Sequence, residues 1–184
     1  MDFERVLTLV LKGFEGQRIR YGVIGGFALG LLGSPRATMD LDFLVHRDDL
    51  EKLHQLFMRL GYQRDVWREN VSQYSHPIRP LGSIDVLHAF RPYALEMLTR
   101  ARTIACLDIG SVHVLEPEDI IGLKVQAIAN NPSRRSHEAA DIETLMSQYG
   151  SQLDWNRIQT YYDLFELGEE ARTLRARYGQ AHQS

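Results

Sequence analysis

The chain has 184 residues, of which 44% are hydrophobic and 24% charged, the proportions of a globular protein large enough to bury a core of its own. Apolar residues recur along its whole length, which excludes disorder for the body of the chain, and the single cysteine excludes an intramolecular disulfide. A net charge of −3 gives no global reason to bind nucleic acid and leaves only a local basic patch to do so.

Residues 3–15 place Phe3, Val6, Leu7, Leu9, Val10 and Phe14 at helical spacing. The most apolar part of this stretch, residues 6–11, is closed by Lys12 and is too short to cross a bilayer. It has neither the basic flank nor the small-residue cleavage site of a secretory signal, so a cytoplasmic protein with no membrane partner is expected. A short β-rich run, residues 21–24, ends in Gly25-Gly26, and residues 27–32 follow as a second short helix before the breaker cluster Gly33-Ser34-Pro35. Residues 41–45 read as a strand. Asp48 or Asp49 then caps a helix that runs to Leu60 and stops at Gly61.

The middle of the chain is richest in strand signals, at residues 62–67, 71–74 and 83–88. A hairpin follows, residues 103–107 and 112–115, joined by Asp108-Ile109-Gly110-Ser111. Its Cys106 has apolar neighbours, which predicts a buried structural thiol. From Pro117 onward the pattern is helical, over residues 118–129 and 136–148, with one or two more helices over 155–178. The expectation is one domain of α/β (α+β) class. A small mixed β-sheet flanked by helices fills residues 1–115, and a helical C-terminal part, residues 116–184, packs on it.

The segment from Gly25 to Val45 carries the chemistry. Glycines where a strand passes into a helix let a phosphate approach the backbone and the free N–H groups of the helix end; they serve equally well as a plain turn. Asp40 and Asp42, two apart in a strand, point to one face with Cα atoms roughly 6.5 Å apart. Leu41, Phe43 and Leu44 make that strand largely buried, where paired carboxylates are costly unless they bind a cation, Mg²⁺ being the natural one. The other reading is an edge strand with its polar face in water. Asp85 interrupts a third apolar strand, Ser83-Ile84-Asp85-Val86-Leu87. If that strand is a neighbour of the first, three carboxylates meet in a site able to hold two metal ions for phosphoryl or nucleotidyl transfer. The seven histidines show no zinc-like spacing with the one cysteine.

A strand, Gly25-Gly26, about a dozen residues and then Asp40-x-Asp42 resembles the signature of the nucleotidyltransferase superfamily, the fold of DNA polymerase β. The embedded Arg36-x-Thr38-x-Asp40-x-Asp42 is similar to the minimal bacterial branch that includes AbiEii-type toxins of toxin–antitoxin systems. Lys124, in Ile121-Gly122-Leu123-Lys124-Val125, and Asp141, after Arg134-Arg135, match that branch in type and order. The resemblance implies that Gly25 and Gly26 cradle the phosphates of an NTP and that Asp40 and Asp42, with Asp85, bind one or two Mg²⁺ ions. It implies that Arg36 and Thr38 shape the loop before them, with Arg36 in reach of a phosphate, and that Lys124 contacts the triphosphate; Asp85, from its place on the third strand, is expected to draw the proton from the acceptor hydroxyl. Asp141 then positions Lys124 or the base. The acceptor is a tRNA, a protein or a small molecule, and an antitoxin protein is a further expected partner. The sequence departs from the branch in one place, reading Arg134-Arg135-Ser136-His137-Glu138 where many members have Arg-x-Lys-Asp. By their residues alone, Lys124 is as well a lysine running its stem along the surface and Asp141 an exposed helix acid.

Overall fold

The computed structural model describes residues 2–35, 37–106 and 110–180. The chain divides into two compact units, Met1–Leu115 and Glu116–Ser184. The first holds a seven-stranded mixed sheet with helices, as the alternating pattern of its sequence predicts. In chain order it runs α1 (Phe3–Gln17), β1 (Tyr21–Ile24), α2 (Gly25–Leu31), β2 (Asp40–His46), α3 (Leu50–Arg59), β3 (Gln63–Trp67), β4 (Val71–Ser75), β5 (Ser83–Ala89), α4 (Pro92–Arg100), β6 (Arg102–Cys106) and β7 (Gly110–Val114). The strands lie in the order β3-β4-β5-β2-β1-β7-β6. β2 pairs antiparallel with β1 and parallel with β5, so the central strand has neighbours from distant parts of the sequence.

Alternation along β2 decides which way the sheet faces. Leu41, Phe43 and Val45 are fully buried, while Asp40 and Asp42 between them are half-buried. The apolar set meets α1 and α3: Phe14 packs edge-on to Phe43 at 5.3 Å, and Phe57 of α3 packs edge-on to Tyr74 of β4 at 4.9 Å. The two acids therefore point to the opposite face. Each fully buried Phe or Leu on the helix side contributes about 1.5–3 kcal/mol, which sets the register of β2 firmly.

Several boundaries and assignments differ from the sequence expectation. α2 begins at Gly25 itself, two residues earlier, because Gly25 adopts φ +67° and lets the strand turn straight into the helix. Neither Asp48 nor Asp49 caps α3 with its side chain. The His46 ring accepts the Asp48 N–H at 3.2 Å, and Asp49 is buried with the Arg20 and Lys52 side chains at 2.7 and 3.2 Å. α4 is an element that the strand-rich middle of the sequence masks; Pro92 in its first turn and the buried pair Ala94 and Met97 account for it. Cys106 is half-buried at the end of edge strand β6 rather than fully buried. The hairpin's connecting residues 107–109 lie outside the described residues.

The second unit is helical: α5 (Pro117–Asn130), α6 (Arg135–Tyr149), α7 (Trp155–Asp163) and α8 (Gly168–Tyr178). Its core is Ile120, Ile121, Val125, Ile142, Leu145, Met146, Ile158 and Tyr162. Gly122 lets α5 and α7 approach, since a Cβ there would stand 2.6 Å from the Tyr161 ring. Asp154 starts α7 by accepting the N–H groups of Asn156 and Arg157, both at 3.1 Å.

Candidate active site

The polar face of the sheet gathers most of the residues that the sequence singles out. Register places Asp42 beside Asp85 on β5 and Asp40 beside Ser83, so the strands bearing the acids are neighbours. Paired residues of adjacent strands share a face, which brings Asp40, Asp42 and Asp85 to one side of the sheet. Each acid has a defined setting. The Ser83 hydroxyl donates to Asp40 Oδ1 at 2.9 Å, and the Thr38 hydroxyl donates to the Asp40 carbonyl at 3.2 Å. Gln73 of β4 sits opposite Asp85 in register, and its Nε2 donates to both carboxylate oxygens at 3.1 Å.

Asp42 lies against the turn into α2. A Cβ on Gly25 would stand 2.0 Å from Asp42 Oδ2, so only a residue without a side chain leaves room for this carboxylate. The first turn of α2 has no capping side chain and no acidic residue. Gly26 is buried behind Gly25. Arg36 lies outside the described residues. Among the described residues no group of three or more His, Cys, Asp or Glu is arranged to hold a metal ion. Asp40 is engaged by Ser83 and Asp85 by Gln73, each drawn to its own partner.

Lys124 and Asp141 belong to the helical unit and meet there. Lys124 is buried, which excludes the exposed-stem reading, and its Nζ donates to Asp141 Oδ2 at 2.6 Å and to Glu138 Oε2 at 2.9 Å. Arg134 donates to the other Glu138 oxygen at 2.5 Å. Burial pushes the Glu138 carboxyl up, but Lys124 and Arg134 outweigh it and hold the group below the ordinary carboxylate range. Asp141 is thereby a half-buried ion-pair partner rather than an exposed acid.

Three residues of this geometry escape a reading of the sequence for motifs: Ser83, Gln73 and Glu138. Ser83 could be found as the i−2 neighbour of Asp85 on the same strand face, and Glu138 as the i+4 partner of Arg134 and the i−3 neighbour of Asp141. Gln73 has no local signal, because only strand pairing brings it to Asp85.

The class is nucleotidyltransferase, an enzyme that moves a nucleotidyl group, and the family match gives it. The profile of the uncharacterised nucleotidyltransferase family matches residues 3–174, and the chain belongs to that family. No curated protein matches by sequence. Among solved structures, the fold is similar to that of the antibiotic-resistance factor ANT(2″)-Ia, with TM-score 0.65, 14% identity and coverage of 96% of this chain and 99% of that one. It is similar to an antigenic nucleotidyltransferase-like protein from Paracoccidioides brasiliensis, with TM-score 0.55, 16% identity and coverage of 94% and 91%. The lincosamide antibiotic adenylyltransferase LnuA, solved with lincomycin, also has TM-score 0.55 and 16% identity, over 78% of this chain and 96% of that one. No helix among the described residues is long and apolar enough to cross a membrane.

Proposed function

We propose that the chain moves the nucleoside monophosphate of an NTP to an acceptor hydroxyl on the face that carries Gly25, Asp40, Asp42 and Asp85. The observation that supports this most directly is the contact of Asp42 with the Gly25 turn, while register sets Asp85 beside Asp42. In the reaction the acceptor oxygen attacks the α-phosphorus, the bond to the bridging oxygen of pyrophosphate breaks, and the acceptor proton passes to Asp85. Gln73 holds Asp85 to receive it. Gly25 and Gly26 let the phosphates come close to backbone N–H groups at the uncapped start of α2.

In its chemistry the donor set fits Mg²⁺, consisting of hard carboxylate oxygens on half-buried strand positions. Asp40 and Asp42, with Asp85, would hold the ion, which supplies charge neutralisation of the triphosphate when bound. Lys124 and Asp141 match the branch in type and order, and within the helical unit Asp141 holds Lys124, with Oδ2 2.6 Å from its Nζ. The acceptor is a tRNA, a protein or a small molecule of the cytoplasm.

The test is transfer of α-phosphate label from each of the four NTPs, with Mg²⁺, into tRNA, cell protein and small molecules. Label in one fraction, absent with Asp42→Ala, names the acceptor class and the nucleotide together. Equal labelling by wild type and Asp42→Ala would overturn the assignment of the face. A toxin role with an antitoxin partner extends the same reading. Expression of wild type, but not of Asp42→Ala, would then arrest growth.

A further inference from the structure

The end of the sheet away from the carboxylates carries features that nucleotidyl transfer does not use. β1 and β2 run antiparallel, with Ile24 beside Asp42 and Tyr21 beside Val45. Tyr21 and His46 therefore lie at the far ends of the strands that present Gly25 and Asp40, and a rise near 3.3 Å per residue puts about 13 Å between Tyr21 and Gly25. An open groove of about 1120 Å³ lies there, walled by α1, the start of β1, α4 and the β6–β7 pair. Leu95 and Leu98 give it half-buried apolar surface, and Lys12 and Arg18 give it positive charge against the single acid Glu15. The Lys12 and Arg18 side chains are exposed and have no ion-pair or hydrogen-bond partner among the described residues. Arg20 lines the groove too, but Asp49 at 2.7 Å and Asp48 at 3.8 Å already claim it.

Two chain continuities lead from the groove to a second cluster. His46 lines the groove and precedes Arg47, and Leu95 lines it one helical turn after Arg91. The Arg47 guanidinium lies 4.3 Å from the centre of the Phe90 ring and that of Arg91 lies 5.7 Å from it. Arg91 also donates to the Tyr93 hydroxyl at 3.4 Å and has no carboxylate partner among the described residues. Among the described residues the Arg47 side chain has one ion-pair partner, Glu69 at 3.7 Å, with both side chains well exposed, a pairing worth little against a phosphate.

We propose that this end of the sheet binds a single-stranded nucleic acid. Lys12, Arg18 and Arg91 take phosphates, while bases lie against the Arg47–Phe90 stack. The combination selects the ligand. An acidic peptide would answer the cations alone, whereas a nucleic acid strand supplies phosphates for the cations and flat rings for guanidiniums held on an aromatic face. The chain as a whole is acidic, at −3, so the attraction is local to this surface. The inference goes beyond the transfer reaction and stands whether or not the bound strand is its acceptor.

The test is fluorescence anisotropy of a short labelled single-stranded RNA, and of DNA of the same sequence, titrated with the full chain across a range of salt. Binding that weakens with salt is expected for wild type and for Asp42→Ala, which separates this surface from the transfer site. Arg47→Ala/Arg91→Ala should weaken binding about tenfold or more, and Lys12→Ala/Arg18→Ala should lower the salt slope by about two. All four residues are exposed, so circular dichroism should be unchanged. Tighter RNA than DNA binding, or equal binding, upholds the proposal and tells whether the ribose is read. No binding of either at low salt, or equal binding by every variant, overturns it. A change in self-association on sedimentation, with nucleic-acid binding unaltered, overturns it as well and makes the face a protein interface.

Discussion

Gly25 and Asp42 compete for the same space, and that makes Gly25 the most informative single residue of the site. Its φ of +67° is costly for any residue with a Cβ, and the Cβ itself would displace the Asp42 carboxylate. Gly25→Ala should cost about 1–2 kcal/mol of stability from the backbone alone. It should also lower kcat about 100-fold, because the carboxylate is moved by an ångström or more. Urea unfolding and transfer kinetics on the one variant read both effects, and full activity in Gly25→Ala would remove Asp42 from the mechanism. Asp49 gives a prediction of a different kind. Burial pushes its carboxyl up, but the Arg20 side chain and N–H and the Lys52 ammonium outweigh this and lower it from 3.8 to about 2. A carboxyl depressed in the folded state stabilises fully above its unfolded value and loses that contribution as pH falls from about 4 toward 2. Asp49→Asn should therefore be less stable than wild type by about 1–2 kcal/mol at pH 6, a gap that narrows by pH 3 in parallel denaturant titrations.

At the level of elements, the α5–α6 pair concentrates buried charge. Lys124 is enclosed by Glu138 and Asp141, so removing it takes the buried cation from between two acids and leaves Glu138 with Arg134. Lys124→Met is expected to destabilise the protein by about 3–5 kcal/mol, with Glu138→Gln in the same chain recovering part of the loss. Denaturant midpoints for the two single variants and the double variant check this. A cost below 1 kcal/mol would mean that the cluster is solvated after all. The Glu138 carboxyl also titrates below its ordinary 4.5, so its share of the stability is complete above that value and fades on acidification. The sequence of α5 hides this arrangement: Lys124 stands in an apolar run, and its partners lie on the next helix. α4 was hidden for another reason. Its first turn opens on Pro92 amid strand signals, and only the burial of Ala94 and Met97 reveals its apolar side. Met97→Ala should cost about 2–5 kcal/mol, measured by the same titrations.

Over the whole molecule, what was legible in the sequence was what is local. The Gly25-Gly26 turn and the alternation of Asp40 and Asp42 with Leu41 and Phe43 are short-range patterns, and the structure has them where the pattern puts them. The pairing of β2 with β5 was not legible, since Asp85 reaches the side of Asp42 only through a parallel register between segments more than 40 residues apart in the sequence. Gln73 depended on a different pairing, the antiparallel register of β4 with β5. The proposed nucleotide face, though assembled from such distant parts, should respond to its ligand as a unit. An NTP with Mg²⁺ at 100 times its dissociation constant stabilises a folded chain by about 2.7 kcal/mol. At this length that raises the melting midpoint by roughly 5–10 °C. Asp40→Ala/Asp42→Ala should lose most of that increment, measured against its own ligand-free midpoint. Hydrogen exchange on the wild type should show the added protection in β1, α2 and β2. An unchanged midpoint in the wild type, or the same increment in the double variant, would detach nucleotide binding from this face.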